Sequence, residues 1–159
     1  MESVWLLERI LPGPFAGHSG YNIFYPVFLE TRVRRVMSRT SDIADVRSII
    51  EKYIEGSGSG NATLLRSIFY KDAVMMGAMG DERMLGTPEP FFKMIEDSPP
   101  LSDSDAEYMA EIVDIRVFGQ AAIATLTEEN FFGMGFIDSF HLVKIEGEWR
   151  ITSKVFNRD

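Results

Sequence analysis

Apolar residues recur at helical spacing in the first half of the chain beyond Ser41 and alternate in the second. Ile43, Val46, Ile49, Ile50, Tyr53 and Ile54 follow a period of about 3.6 residues, which predicts an amphipathic helix. Ser41-Asp42 offers its N-cap, and Asp42 and Asp45 suit the positive end of the helix dipole. Gly56-Ser-Gly-Ser-Gly60 is expected to stop this helix and make a flexible connection. Asn61 then caps a short second helix with Leu64, Leu65, Ile68 and Phe69 apolar. Lys71-Asp72 turns the chain into a short strand, Ala73 to Met79. Gly80-Asp81 reads as a turn and Arg83-Met84-Leu85 as the returning strand of a hairpin. Thr87 caps a third helix, with Pro88 at the tolerated first position. Its apolar residues are Phe91, Phe92, Met94 and Ile95, and Ser98-Pro99-Pro100 ends it.

Residues 101 to 106 are polar and acidic, as in a loop. Four strand-like runs follow: 108 to 118, 121 to 132, 136 to 145 and 149 to 156. The short connections near Gly119 and Gly147 suit antiparallel hairpins. The element order is therefore α-α-β-β-α-β-β-β-β, with helices early and long antiparallel strands last, which is α+β rather than alternating α/β. Simple alternation places Trp149, Ile151 and Val155 on one face of the last strand, and Arg150, Thr152, Lys154 and Phe156 on the other. On the run from 108, Met109, Val113, Ile115 and Val117 share a face with Glu111. A sheet with one apolar and one mixed face can bury the second against a partner.

Residues 1–36 are different material. They carry four Arg against three Glu, a net of +1, which leaves −9 for the remainder of a chain whose net charge is −8. Pro12, Pro14 and Pro26 lie here, with Trp5, Phe15, Tyr21, Phe24, Tyr25 and Phe28. A signal peptide is not expected, because Glu2 stands at the start and Glu8-Arg9 interrupt the apolar run. Two readings stay open. The segment is an extension packing its aromatics on the domain or a partner, or it is translated upstream sequence with Met37 as the natural start. Either way residues 37–159 form the domain.

The 159-residue length suits one domain with a real core. Hydrophobic and charged contents of 45% and 25% are globular values. The acidic balance argues against nucleic acid and anionic membrane as partners, and no stretch reaches the roughly 18–20 apolar residues of a transmembrane helix. The absence of Cys excludes disulfides, thiol catalysis and thiolate metal sites. It leaves the compartment open, with the cytoplasm favoured. Two His make a histidine metal site unexpected, and there is no phosphate loop, dinucleotide fingerprint or Gly-x-Ser-x-Gly elbow. No cofactor is expected.

Several stretches carry a resemblance: Tyr53-Ile54-Glu55-Gly56, Phe69-Tyr70-Lys71-Asp72-Ala73, Asp138-Ser139-Phe140-His141-Leu142, Lys144 through Ile151, and Lys154-Val155-Phe156. Over about residues 42–156 the chain resembles the nuclear transport factor 2-like superfamily, and within it the branch called putative lumazine-binding. The C-terminal stretch is the most specific part. The resemblance implies a cone-shaped, cystatin-like α+β fold, a strongly bent antiparallel or mixed sheet wrapped around three helices, and a homodimer packed through the outer sheet face. Members often have His-Pro where this chain has Tyr70-Lys71, which removes one candidate pocket imidazole.

Chemistry is thereby confined to carboxylates, tyrosines and His141. His141 shares a strand face with Ser139, whereas Asp138 and Phe140 face the other way. A carboxylate for His141 would come from a neighbouring strand: Asp114, Glu111, Glu128 or Glu129. His141 is either a half-buried residue with one hydrogen bond in a dimeric sheet, a pocket acid/base, or plain surface. Asp138, flanked by Phe136, Ile137 and Phe140, could be a buried base of the ketosteroid isomerase kind. It could equally pair with Lys154 or Arg150 across the last strand. Asp114 has the same ambiguity. The Met and Phe residues of the helix-hairpin half suit a ligand cleft or a soft core.

Three functions follow as expectations. The first is binding of a small, flat, apolar molecule in the cone, lined from Tyr53, Phe69, Tyr70, Met75, Phe92, His141 and Trp149. The second is a cofactor-independent isomerase or dehydratase with Asp138, Asp114 or His141 catalytic. The third is a structural dimerisation domain without ligand.

Overall fold

One long helix leads the described chain and a curved six-stranded sheet closes it. The computed structural model describes residues 25–103 and 107–158, with side chains from Arg39 onward. Whether residues 1–24 pack on anything lies outside the described residues. The elements are α1 (Tyr25–Ser59), α2 (Ala62–Ile68), β1 (Phe69–Met79), β2 (Glu82–Gly86), α3 (Glu89–Asp97), a 3-10 turn (Leu101–Asp103), β3 (Met109–Phe118), β4 (Ala121–Phe131), β5 (Met134–Ile145) and β6 (Glu148–Arg158). The α+β order and the three helices match the reading of the sequence.

The helix ends differ from it. Ser41-Asp42 does not start α1, which begins at Tyr25, so the expected boundary at Met37 falls inside a helix. Asp42 is instead buried against the sheet, 2.7 Å from Lys144 Nζ. The glycines after Glu55 do not make a flexible link. A Cβ on Gly56 would lie 2.9 Å from the Leu65 side chain, so the residue permits a close crossing of α1 and α2. The helix stops at Gly60, which takes φ +73°. Phe69 leaves α2 for the sheet, and α3 begins after Pro88 with Pro90 in its first turn rather than from a Thr87 cap.

The sheet runs β2-β1-β6-β5-β4-β3, with every pair antiparallel except β1 and β6. The pairing register shifts in four places, once between β1 and β6 and once each on β3, β4 and β6, where one extra residue resets the alternation of side chains. On β6, His141 pairs with Ser153 and Leu142 with Ile151, leaving Thr152 as the extra residue. Ile151 and Lys154 therefore both point inward, while Val155 is exposed. On β3, Val113 is the extra residue between the Ile112 and Asp114 pairings. It turns outward, and Ile112, Ile115 and Val117 all face the core. Both outcomes correct the simple two-residue period. On β4 an extra residue falls between Glu128 and Phe131, where Asn130 takes φ +58°, so both of those flanking residues point inward.

The core fills the space between the helices and the inner sheet face. Tyr53, Ile50 and Val46 of α1 meet Leu65 of α2, Phe91 and Ile95 of α3, and Leu126, Phe140 and Ile151 of the sheet. Among the described residues no helix is long and apolar enough to cross a membrane.

Gly77 of β1 lies against the Phe156 ring, where an added Cβ would come within 2.5 Å of three ring atoms. The substitution Gly77→Ala is expected to destabilise the fold by about 1–3 kcal/mol through overpacking, read by urea denaturation. An unchanged midpoint would show that the Phe156 ring yields freely.

Candidate functional site

The inner face of β4 reads Ala122, Ala124, Leu126 and then Glu128, three apolar side chains followed by a carboxyl that is 2% exposed. Pairing of Glu128 with Phe136 on β5 makes Asp138 its diagonal neighbour, and pairing of Phe140 with Lys154 on β6 does the same for Asp138 and Lys154. Three ionisable groups from three adjacent strands thus meet in the core.

Asp138 is fully buried and Lys154 is 4% exposed, with Nζ 2.6 Å from Asp138 Oδ2. Lys154 Nζ also donates to Tyr53 Oη at 2.5 Å, and the Tyr53 hydroxyl donates to Asp138 Oδ2 at 3.3 Å. The rings of Tyr53, Phe91, Phe156 and Phe140 surround the ammonium, with centroids 4.8, 5.2, 5.4 and 5.8 Å away. Such faces supply cation–π attraction where water is excluded. The Tyr108 hydroxyl donates to Glu128 Oε1 at 2.5 Å.

Burial pushes the Glu128 carboxyl up to about 8, opposed by the Lys154 charge and reinforced by the charge of Asp138 and a hydrogen bond to it. Near neutrality Glu128 therefore holds a proton. Asp138 Oδ1 has no partner among permanent donors, and that proton supplies one. Burial likewise raises the Tyr53 and Tyr108 hydroxyls, with Glu128 adding to both, so each stays a donor.

A cavity of about 250 Å³ opens beside this cluster, between α3, the β1–β2 hairpin and the ends of β4, β5 and β6. Met75, Met79, Phe91, Phe131, Phe136 and Phe156 form much of its wall, Met84 and Met94 lie at its exposed edge, and Lys154 and Glu128 are its charged or acidic groups. The volume is just below the roughly 300–1,000 Å³ of most small-molecule sites.

Of the lining residues expected from the sequence, Met75 is in this wall. Tyr53 lies behind Lys154. Phe69 and Phe92 pack edge to face at 5.2 Å in the core beneath α3. Tyr70 is half-buried at the start of β1, outside the lining. Trp149, before the β6 bulge, faces a separate polar groove with Asp45, Lys52 and Arg150. His141 is on the outer face, its Nδ1 3.0 Å from Ser153 Oγ. Asp114, next to the β3 bulge, binds Arg116 Nε at 2.6 Å in partial exposure. Asp138 is in the core, paired with Lys154 rather than open to the cavity. Glu128 was legible as an inward residue from the Ala122-Ala124-Leu126 stripe, whereas its contact with Asp138 needs the register. Among the described residues no group of three or more His, Cys, Asp or Glu is placed to hold a metal ion.

The family model described as putative lumazine-binding matches residues 41–157. The chain belongs to this family. Solved structures agree with that membership. A nuclear transport factor 2-like protein of unknown function from Shewanella baltica OS155 is 27% identical, with 76% of this chain and 95% of that one aligned at a TM-score of 0.69. A domain of unknown function with a cystatin-like fold from Nostoc punctiforme PCC 73102 is 17% identical, covers 76% and 78% of the two chains, and scores 0.59. A ketosteroid isomerase-like protein from Erwinia carotovora atroseptica SCRI1043 is 16% identical, covers 74% and 95%, and scores 0.55. The last two likenesses concern the fold alone. No curated protein matches the chain.

Removing one member of the buried pair leaves its partner uncompensated. Lys154→Met is expected to cost about 3–5 kcal/mol, and addition of Asp138→Asn to restore most of it, as a urea-denaturation cycle would measure. Additive losses would contradict the coupling. Glu128 carries a pH signature. Its carboxyl ordinarily titrates near 4.5 and in the fold near 8, so between those values the folded state binds the extra proton. Its contribution to stability therefore falls as pH rises through that window and levels off above it. Relative to the wild type, Glu128→Gln should gain stability between about pH 5 and pH 8; a constant difference would show that Glu128 ionises normally.

Proposed function

We propose that this chain is a small-molecule-binding domain whose ligand occupies the cavity between α3, the β1–β2 hairpin and the inner sheet face. One observation carries the reading: an apolar cavity of about 250 Å³ that ends on a buried lysine and a buried glutamate. Apolar walls with a few convergent polar groups are the usual form of a ligand site. Methionines at the edge let the wall adapt to the shape of what enters. The family description points the same way without naming a ligand for this chain.

A second reading is favoured by Glu128 itself. A carboxyl with a pKa near 8 beside an apolar cavity has the properties of a general acid or base in cofactor-independent isomerisation or dehydration. The base would then be Glu128 rather than Asp138, Asp114 or His141.

The outer sheet face carries a further proposal. Val113, Phe118, Ile137, Val143 and Val155 are exposed there around His141, and a second copy of this chain packed on that face would cover them.

A thermal-shift panel of flavin-like, steroid-like and polyketide-like compounds is expected to yield ligands that raise the melting temperature by mass action. The mouth-blocking variant Met94→Trp should lose that response while keeping its fold. A response that survives the block places binding elsewhere, and a panel without any response removes the reading. Under the enzymatic alternative, Glu128→Gln retains binding and loses turnover. For the dimer, sedimentation at micromolar concentration should show twice the 18.0 kDa chain mass, and Val155→Glu should return it to one. A wild-type monomer refutes that proposal.

A further inference from the structure

Hydrogen-bonding capacity at the inner end of the cavity can be counted group by group. Lys154 Nζ has three N–H donors. Two are used, by Asp138 Oδ2 at 2.6 Å and Tyr53 Oη at 2.5 Å. The third has no acceptor among the described residues, and Lys154 lines the cavity. Glu128 lines it as well, but its groups are engaged: Oε1 accepts from Tyr108, and its proton serves Asp138. Apart from Ser98, every other lining residue is Met, Phe or Pro. The protein thus offers an occupant one strong donor in otherwise apolar surroundings.

Charge narrows the occupant further. Asp138 already balances Lys154, and Glu128 is neutral near pH 7. An anionic ligand would leave an uncompensated charge beside phenyl rings and thioethers, which is costly in a dry site. A cationic ligand would meet the Lys154 ammonium. A ring system with many nitrogens and oxygens would leave most of them without partners, and each such group carries a desolvation penalty.

We infer that the cavity takes a neutral, largely apolar molecule with a single acceptor oxygen, a small mono- or bicyclic ketone or comparable carbonyl compound, held by the third N–H of Lys154. The inference rests on the reading of the cavity as a ligand site and names the class that site accepts. It also separates this chain's ligand from lumazine, whose two carbonyls and several ring nitrogens exceed what the cavity can satisfy.

Titration calorimetry on the full chain tests this with four probes: α-tetralone, tetralin, the tetralin α-carboxylate anion and lumazine. Tetralone is expected to bind at least tenfold more tightly than each of the others, the scale of one hydrogen bond from a charged donor. In the charge-neutral double variant Lys154→Met, Asp138→Asn, checked for folding by circular dichroism, tetralone and tetralin should bind equally. Equal wild-type affinities for those two, or tighter binding of the carboxylate or lumazine, overturns the ligand class. A tetralone preference that survives in the double variant overturns the role of Lys154. Failure of all four probes to bind counts against the cavity as a ligand site and so against the proposed function itself.

Discussion

A lysine ammonium and an aspartate carboxylate 2.6 Å apart inside an apolar core set the terms for the groups around them. Taking both ions out of water carries a large penalty, which close approach offsets only when the remaining donors and acceptors also find partners. The surroundings of Lys154 and Asp138 meet that condition for all but one N–H of the ammonium. Tyr53 bridges the two groups from α1, four aromatic rings turn their faces toward the ammonium, and Glu128 keeps a proton that serves the second Asp138 oxygen. Helix and sheet are joined through this cluster, so the polar groups that border the cavity also fix where α1 sits on β5 and β6.

The cavity is what remains after those needs are met. Its walls come from α3, the β1–β2 hairpin and the ends of β4, β5 and β6, with Phe91 and Phe156 shared between the cavity and the rings around the ammonium. A fold does not by itself fix a task, which belongs to the side chains set on it. Here the ionisable side chains of the lining are Glu128 and Lys154, set among Met, Phe and Pro.

Much of the fold could be read from the sequence because hydrophobic periodicity follows secondary structure directly. The apolar spacing from Ile43 to Ile54, the Gly119 and Gly147 hairpins and the order of elements all carried through. The site was harder to read, for a definite reason. Alternation assigns inward faces only while strands keep a constant register, and β3, β4 and β6 each contain one extra residue. Val155 and Lys154 therefore exchange the faces that counting from Ile151 predicts. Trp149, Tyr70 and His141 looked suited to a pocket by residue type, but Trp149 is buried away from the cavity, Tyr70 lies half-buried at the start of β1 and His141 is on the outer face. Glycines after Glu55 suggest a flexible link by composition, whereas close packing against Leu65 and Tyr108 uses them for their size.

The extra residue at Thr152 works as a parity switch. Upstream of it β6 presents Trp149 and Ile151 to the interior; downstream it presents Lys154 and Phe156. Pairing the same residues without the bulge would restore alternation from Ile151, bringing Val155 into the core and expelling the ammonium, whereas loss of Thr152 itself would straighten the strand and leave Lys154 inward. Among relatives, the pairing register of this strand, rather than its length or its percentage identity, would therefore divide chains with a charged core from chains with a dry one.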